Sequence, residues 1–388
     1  MSAVPSFQPG DPVPWFTVQS RANPQFAFNT VAGRYILLCF YGTAGHANVR
    51  EALDQVAARR ALFDDDKASF FGVSIDPRDL EENRTQDLVP GIRHFFDLDL
   101  AVSRLYGAAG QDAVPGGRLS YRPFWLLLDP MLRTLACRPL DAGGAHTAAM
   151  LDLVAALPPV EWHGGGAAIA PVLVLPRVFD PDFCRRLIDL YEAHGGEESG
   201  FMRDVDGRTV GIVDHRHKRR ADCVIEDEAV RRQAQEMIRR RLLPEIEKAF
   251  QFRCTRLERY IVACYDSGTG GWFRPHRDNT TKGTAHRKFA ATINLNAEEY
   301  EGGELRFPEF GPRTYRAPTG GCVVFSCSLL HEATPVTSGR RYAFLPFLYD
   351  EAGARVRAEN ARVLAGADGA SADAAAPRPE ERAAGPVA

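Results

Sequence analysis

Over the first 158 positions, apolar residues come in short unbroken runs rather than alternating with polar ones. Residues 35–41 (YILLCFY), 70–75 (FFGVSI) and 124–128 (FWLLL) are such runs, the pattern of strands buried on both faces. Between the first two, residues 49–62 put Leu53, Val56, Ala57 and Ala61 roughly on one face of a helix. Strand–helix–strand alternation predicts an α/β sandwich over residues 1–158. Residues 159–170 read as a linker. Pro158-Pro159 and Gly164-Gly165-Gly166 flank Trp162 and His163, and such residues continue neither a helix nor a central strand.

The pattern changes at residue 171. Residues 172–175 predict a strand, and Asp180 an N-cap for a helix to about residue 193, with Phe183, Leu187, Ile188 and Tyr191 on one face. A second helical stretch covers residues 227–250, interrupted at Pro244. From 257 to 348, short strands separated by Gly, Asn and Pro turns predict an all-β sandwich or barrel. The second domain so defined is residues 171–351. Residues 352–388, rich in Ala, Gly, Pro and charge, predict a disordered tail.

Composition narrows the class. The chain has 388 residues, enough for two domains. With 45% apolar and 25% charged residues it is ordinary for a globular protein. A net charge of −3 points to neither nucleic acid nor an anionic membrane as partner. The longest apolar runs fall far short of the ~20 residues that span a bilayer. The N-terminus MSAVPSFQPGDPVP has no basic region followed by an apolar one, so no secretory signal is expected. Eight cysteines without a C-x-x-C pair read as reduced thiols, hence a cytoplasmic protein.

Candidate chemistry sits in the β-rich stretch. His276-Arg277-Asp278 is an H-x-D, His331 follows several strands later, and Arg341 comes ten residues after that. Two imidazoles and a carboxylate on one face of a metal leave three positions open, the arrangement that non-haem iron(II) oxygenases use. Residues i and i+2 of a strand point to one side, so His276 and Asp278 can reach one ion, and the third ligand must come from a strand adjacent in space. Singly, each feature is weak: an H-x-D arises by chance about once in a chain of this size. Their order within one β-rich segment carries the weight. A hairpin over 330–341, turning at Thr337-Ser338-Gly339, would put Arg341 on the strand after His331, facing the same interior, with Arg340 on the opposite face.

The surrounding residues are HRDN (276–279), ATINLN (291–296), YEGGELRFP (300–308), PTGGCVVFSCSLLHEATPV (318–336) and SGRRYAF (338–344), preceded by PVLVLPRVFDPDFCRRLIDL (171–190). Over about 180 residues this stretch resembles the prolyl-4-hydroxylase-like branch of the 2-oxoglutarate/Fe(II)-dependent dioxygenases. The resemblance implies a double-stranded β-helix (jelly roll) with flanking helices. It implies His276, Asp278 and His331 as iron ligands, Arg341 as the 2-oxoglutarate anchor and Tyr265 as a contact to that cosubstrate. Thr292 and Asn294, on one strand face, are further pocket candidates. The implied activity is hydroxylation of a C–H bond, coupled to oxidative decarboxylation of 2-oxoglutarate to succinate and CO₂. Fe(II), 2-oxoglutarate and O₂ are then required, with ascorbate a candidate further cofactor. The substrate classes left open are peptidyl proline, amino acids and small metabolites.

Other residues read more plainly. Asp214-His215-Arg216-His217 opens the basic run 216–220 and predicts a solvated loop, with Arg219 or Arg220 a candidate for the pocket rim. His286, in a polar turn, is expected to be exposed, and Cys322 and Cys327 to be core thiols. In the first domain, PGDPVPWF (9–16), GRYILLCFYG (33–42), FFGVSIDP (70–77), FFDLDLAVSRLYG (95–107) and YRPFWLLLDPMLRTL (121–135) resemble the peroxiredoxin and thioredoxin-like fold. That family places its nucleophilic Cys in the loop after the F-Y strand. Here the loop, GTAGHANV (42–49), has none, and Cys39 lies inside the strand. Arg122 matches the family's active-site arginine. A redox fold without its nucleophile follows, with substrate delivery, homodimer formation or shaping of the cosubstrate site as its candidate roles. The competing readings are a thiol peroxidase-like redox protein fused to a non-catalytic iron-binding module, and a sensor whose iron site no longer turns over.

Overall fold

The computed structural model describes residues 7–117, 119–205 and 207–361. The chain divides into two compact units. The first runs to Ile169 and includes Pro308–Pro312; the second holds Ala170–Phe307 and the residues from Arg313 on.

The first unit is built on a seven-stranded sheet, ordered Phe26–Ala27, Thr17–Ser20, Ile92–Phe96, Ala68–Ser74, Tyr35–Gly42, Phe124–Leu128, Thr134–Pro139. Tyr35–Gly42 lies parallel to Ala68–Ser74 and antiparallel to Phe124–Leu128. Every residue of these three apolar strands is buried. Alternation divides the work between the two faces. Tyr35, Leu37, Cys39 and Tyr41 pack with Val49, Ala52 and Val56 of the helix Ala47–Ala58 and with Met150, Leu151 and Val154 of the helix Ala145–Ala156. Phe71 and Phe40 of the opposite face meet a layer of rings that includes Phe28, Phe95 and Tyr106. Residues 159–169, expected as linker, fall within this unit and include a short 3-10 turn, Val160–Trp162.

The second unit has two principal sheets. The larger has nine strands, with Phe289–Asn294, Arg340–Phe344, Ile261–Asp266 and Ala221–Val224 adjacent in that order. The smaller is ordered Lys218–Arg219, Trp272–His276, His331–Ala333, Leu305–Arg306, Thr314–Tyr315. One face of the larger sheet (Val262, Cys264, Ala291, Ile293, Tyr342, Phe344) packs against the helices Pro181–His194, Glu228–Arg241 and Leu243–Phe250. Ala263 and Tyr265, at alternate positions, join Phe273 and Ala333 of the smaller sheet, together with Tyr300 and Val336, in a second apolar cluster. Asp227 caps its helix, accepting from the N–H groups of Ala229 and Val230. Asp180 stands at the expected N-cap position but makes no capping bond; its Oδ1 accepts instead from Arg241, at 2.9 Å.

Two expectations are corrected here. Residues 352–360, assigned to the disordered tail, belong to a helix, Glu351–Asn360. Its composition is poor in large apolar residues, but Asp350 caps it and Arg357 ties it to the Tyr349 hydroxyl at 2.8 Å. The tail beyond residue 361 lies outside the described residues. The hairpin over 330–341 does not form. His331–Ala333 pairs within the smaller sheet, Val336–Ser338 pairs with Glu301–Gly302, and Arg340–Phe344 crosses to the larger sheet. Gly339, at φ +75, makes the sharp step between the last two.

Candidate metal centre and cosubstrate pocket

His276 ends its strand directly opposite His331, with a register shift between Phe273 and His276. The chain then turns, and the Asp278 N–H donates to the Cys327 carbonyl at 3.0 Å. The three side chains converge: one donor atom from each lies within 4.8 Å of the other two. Nε2 of His331 is 3.3 Å from Asp278 Oδ2, and Nε2 of His276 is 3.6 Å from Oδ1. Both Nδ1 atoms face backbone carbonyls, His276 that of Arg274 at 2.7 Å and His331 that of Leu329 at 3.0 Å. A carbonyl only accepts, so each Nδ1 carries the proton and each Nε2 keeps a lone pair turned towards the carboxylate. Aromatic walls hold the rings: Phe273 stacks on His276 at 3.5 Å and Phe325 lies 4.5 Å from His331.

Electrostatics suit the same donor set. Burial, reinforced by neighbouring His276, pushes His331 down to about 4. Burial opposes the charge on Asp278, but His331 and His276 outweigh it and hold the carboxyl below its usual range. A carboxylate beside two imidazoles that turn Nε2 towards it fits a divalent first-row metal with several positions left open.

Arg341 reaches the interior from the larger sheet. It stands opposite Tyr265 in register, with its guanidinium carbon 4.9 Å from the centre of the Tyr265 ring. It is 2% exposed, and its Nε and Nη1 have no hydrogen-bond partner among the described residues. An unpaired buried guanidinium is costly, so a ligand carboxylate fits here. Neighbouring Arg340 points the other way, exposed and bonded to Asp266 Oδ2 at 2.9 Å. Arg341 is reached through the crossing strand rather than through the expected hairpin.

The remaining candidates divide. Thr292 and Asn294 are buried on the alternate face from Ile293, and the Asn294 amide is committed to the Ala317 carbonyl. In the expected solvated loop, His215 is exposed and pairs with Glu198, and Arg219 is exposed, but Lys218 and Arg220 are buried. Lys218 donates to Ser199 Oγ at 2.7 Å and lies over the Phe273 ring; Arg220 pairs with Asp222 at 2.6 Å and sits 3.5 Å from the Tyr265 hydroxyl. Ser199, distant from both in sequence, accepts from Lys218 and from Arg220 and draws these cations in. His286, expected exposed, is likewise buried, bonded to Glu258 at 2.8 Å. Cys322 and Cys327 are buried free thiols. Sequence reasoning missed the roles of Phe273 and Tyr300. Tyr300 opens the YEGG motif, but only packing puts its ring in the cluster with Tyr265.

In the first unit, the loop after Tyr35–Gly42 contains no thiol. Asp79 occupies its surroundings, accepting from the Ala44 N–H at 2.8 Å and the Ser74 hydroxyl at 2.6 Å. Cys39 is wholly buried, and burial pushes its thiol well up.

Residues 260–349 match the 2OG-Fe(II) oxygenase superfamily model, and residues 9–130 match the AhpC/TSA family model. A PKHD-type hydroxylase of Synechococcus sp. (strain JA-2-3B'a(2-13)) is 33% identical over 89 residues, 21% of this chain and 39% of that protein. The chain thus spans about two fifths of the length of the first curated relatives it matches. A PKHD-type hydroxylase of Shewanella sp. (strain ANA-3) is 29% identical over 175 residues, 42% of this chain and 77% of that protein. Among solved structures, a prolyl hydroxylase from Trichoplax adhaerens, in complex with a hypoxia inducible factor oxygen degradation domain peptide fragment, matches at 16% identity and a TM-score of 0.38, covering 48% of this chain and 86% of that one. The chain therefore joins an N-terminal segment similar to the AhpC/TSA family to a C-terminal segment similar to the 2OG-Fe(II) oxygenase superfamily.

Proposed function

We propose that the second unit is an Fe(II)- and 2-oxoglutarate-dependent hydroxylase. The observation that carries this reading is the convergence of His276, Asp278 and His331 donor atoms within 4.8 Å, in a unit that also buries Arg341, whose Nε and Nη1 have no hydrogen-bond partner among the described residues. The apolar cluster links the two: Phe273 stacks on His276, and Tyr265 lies under Arg341. His276, Asp278 and His331 would hold the iron, Arg341 the distal carboxylate of 2-oxoglutarate, and Tyr265 would contact the cosubstrate. With both bound, the metal would supply oxidative decarboxylation of 2-oxoglutarate by O₂, one oxygen atom entering succinate as CO₂ leaves and the other entering a substrate C–H bond as a hydroxyl. The chain's own part is to keep Nε2 of both histidines free of protons, to orient the cosubstrate with a two-pronged guanidinium, and to exclude water with Phe273, Tyr265 and Val336.

The two principal sheets support a double-stranded β-helix as the finer description of this unit. Peptidyl proline, or an amino acid, is the proposed substrate class, with ascorbate as a supporting reductant and a homodimer as the assembly. Eight free cysteines suit a reducing, cytoplasmic setting.

The test is succinate formation from 2-oxoglutarate with Fe(II), alongside a search for products heavier by one oxygen. Asp278→Ala should abolish succinate release, and a chelator should do the same to the wild type. Turnover that survives both would refute the assignment.

A further inference from the structure

A lysine with no carboxylate to answer it stands one ring away from the metal centre. Lys218 lies directly opposite Phe273 in the smaller sheet and is 4% exposed. Its ammonium is 5.0 Å from the centre of the Phe273 ring, which stacks on His276. Nζ donates to Ser199 Oγ and to the Gly200 carbonyl. Both acceptors are neutral, and an ammonium has a third hydrogen to give. The carboxylate of Asp222 is engaged by Arg220 at 2.6 Å and by Arg259 at 3.6 Å. A buried cation without a counter-charge is destabilising.

The imbalance continues outwards. A hairpin of Phe201–Val205 and Arg208–Ile212 brings the Phe201 ring to 4.3 Å from that of His217, which is itself 5.6 Å from Phe273. Arg203, on the same strand face as Phe201, lies over its ring at 5.6 Å. Arg274, next to Phe273, lies over Trp272 at 4.8 Å and gives its Nε to the Arg216 carbonyl. Neither arginine forms an ion pair among the described residues. Both crowd His217: burial first, then His276, Arg203 and Arg274, push it down to about 4. The acids of this region are committed, Asp214 to Arg216, Glu198 to His215, and Asp204 to the Thr209 hydroxyl and the Lys282 N–H.

We propose that the residue to be hydroxylated carries a free carboxylate, held by Lys218 and drawn in by Arg203 and Arg274. This rests on the hydroxylase reading and names its substrate class: an amino acid with its main-chain carboxylate free, or a residue with an acidic side chain. The anion is not the 2-oxo acid, whose distal carboxylate is assigned to Arg341 on the larger sheet. Lys218 is one ring from a metal ligand, so the charge it answers belongs to the reacting residue itself. A peptidyl proline, its carboxyl tied up in an amide, would leave the lysine without a counter-charge.

The test is succinate release by the full chain with Fe(II) and 2-oxoglutarate, in the presence of each free L-amino acid, of the matching amino-acid amides, and of the N-acetylated amides of Asp and Glu. A free acid that stimulates release while its amide does not places the charge on the main chain. Stimulation by an N-acetylated Asp or Glu amide places it on a side chain. For the stimulating acid, Lys218→Met should raise KM about 30-fold or more with kcat little changed, because one partner of a buried charge pair is gone. Lys218→Arg should recover part of the loss. Arg203→Ala, at an exposed position that the fold does not need, should raise the same KM about threefold, and reads the proposal even where Lys218→Met does not fold. A merely structural lysine would lower the melting temperature and leave KM alone. If the amides stimulate as well as the acids, or no carboxylate raises succinate above its background, the carboxylate reading is wrong and the hydroxylase reading stands. If no succinate forms in any arm, both fall.

Discussion

Arg341 and Arg340 are neighbours on one strand, and the pleat sends them to opposite faces. Arg341 lies buried over Tyr265, its Nε and Nη1 without an acceptor among the described residues, and Arg340 reaches Asp266 and Glu192 in solvent. If Arg341 binds the cosubstrate, Arg341→Ala should raise the apparent KM for 2-oxoglutarate at least about 30-fold, since truncating one partner of a buried charge pair costs several kcal/mol. Metal affinity should be unaffected. Arg341→Lys should recover only part of the loss, because a point charge cannot make the two-pronged contact. Arg340→Ala should leave KM unchanged, since exposed ion pairs are worth little. Steady-state kinetics of all three variants would decide it, and equal effects at the two arginines would contradict the assignment of faces.

At the scale of elements, the helix Glu351–Asn360 and the turn carrying His286 are joined through one carboxylate. Glu258, on the strand Arg256–Glu258, is bonded to His286 at 2.8 Å and Arg287 at 2.6 Å, with Arg357 of the helix at 3.6 Å. Burial opposes its charge, but Arg287 and His286 outweigh that and hold the carboxyl well below its usual range. A carboxyl whose folded pKa is depressed stabilises the fold fully above its unfolded value of about 4.3, and loses that contribution as pH falls towards the folded value. Glu258→Gln should therefore destabilise the protein by about 3 kcal/mol at pH 7, because it leaves buried cations without their counter-charge. Urea unfolding across pH should show the gap between variant and wild type narrowing below about pH 4.3. A variant as stable as the wild type at pH 7 would remove Glu258 from this role.

The whole molecule pairs an AhpC/TSA-like segment with a segment similar to the 2OG-Fe(II) oxygenases. Thiol peroxidases need an accessible thiolate of lowered pKa. Residues 42–49 offer no thiol, and Cys39 is sealed in the sheet with its thiol pushed up. The full chain should therefore show no dithiol-dependent peroxide reduction, and Cys39→Ser should change nothing in that assay. Peroxide turnover lost in Cys39→Ser would restore the peroxidase reading of the first unit.

The sequence by itself determined what local pattern and residue chemistry can encode. Unbroken apolar runs marked Tyr35–Gly42, Ala68–Ser74 and Phe124–Leu128 as fully buried strands, because two-sided burial removes polar alternation. The H-x-D, His331 and Arg341 were legible by type and order, because a metal and a carboxylate constrain what can bind them. Tertiary structure decided what depends on a partner distant along the chain. His286, Lys218 and Arg220 read as solvated until Glu258, Ser199 and Tyr265 appear beside them. The helix Glu351–Asn360 lacks large apolar residues and is held by its cap and by Arg357. Arg341 faces the interior through a crossing to the larger sheet, and the partnerless Tyr300 hydroxyl exists only once packing has closed around it. Burying a polar group is unfavourable on its own, so no local signal announces it; the compensating contact does, and that contact is made only in the folded chain.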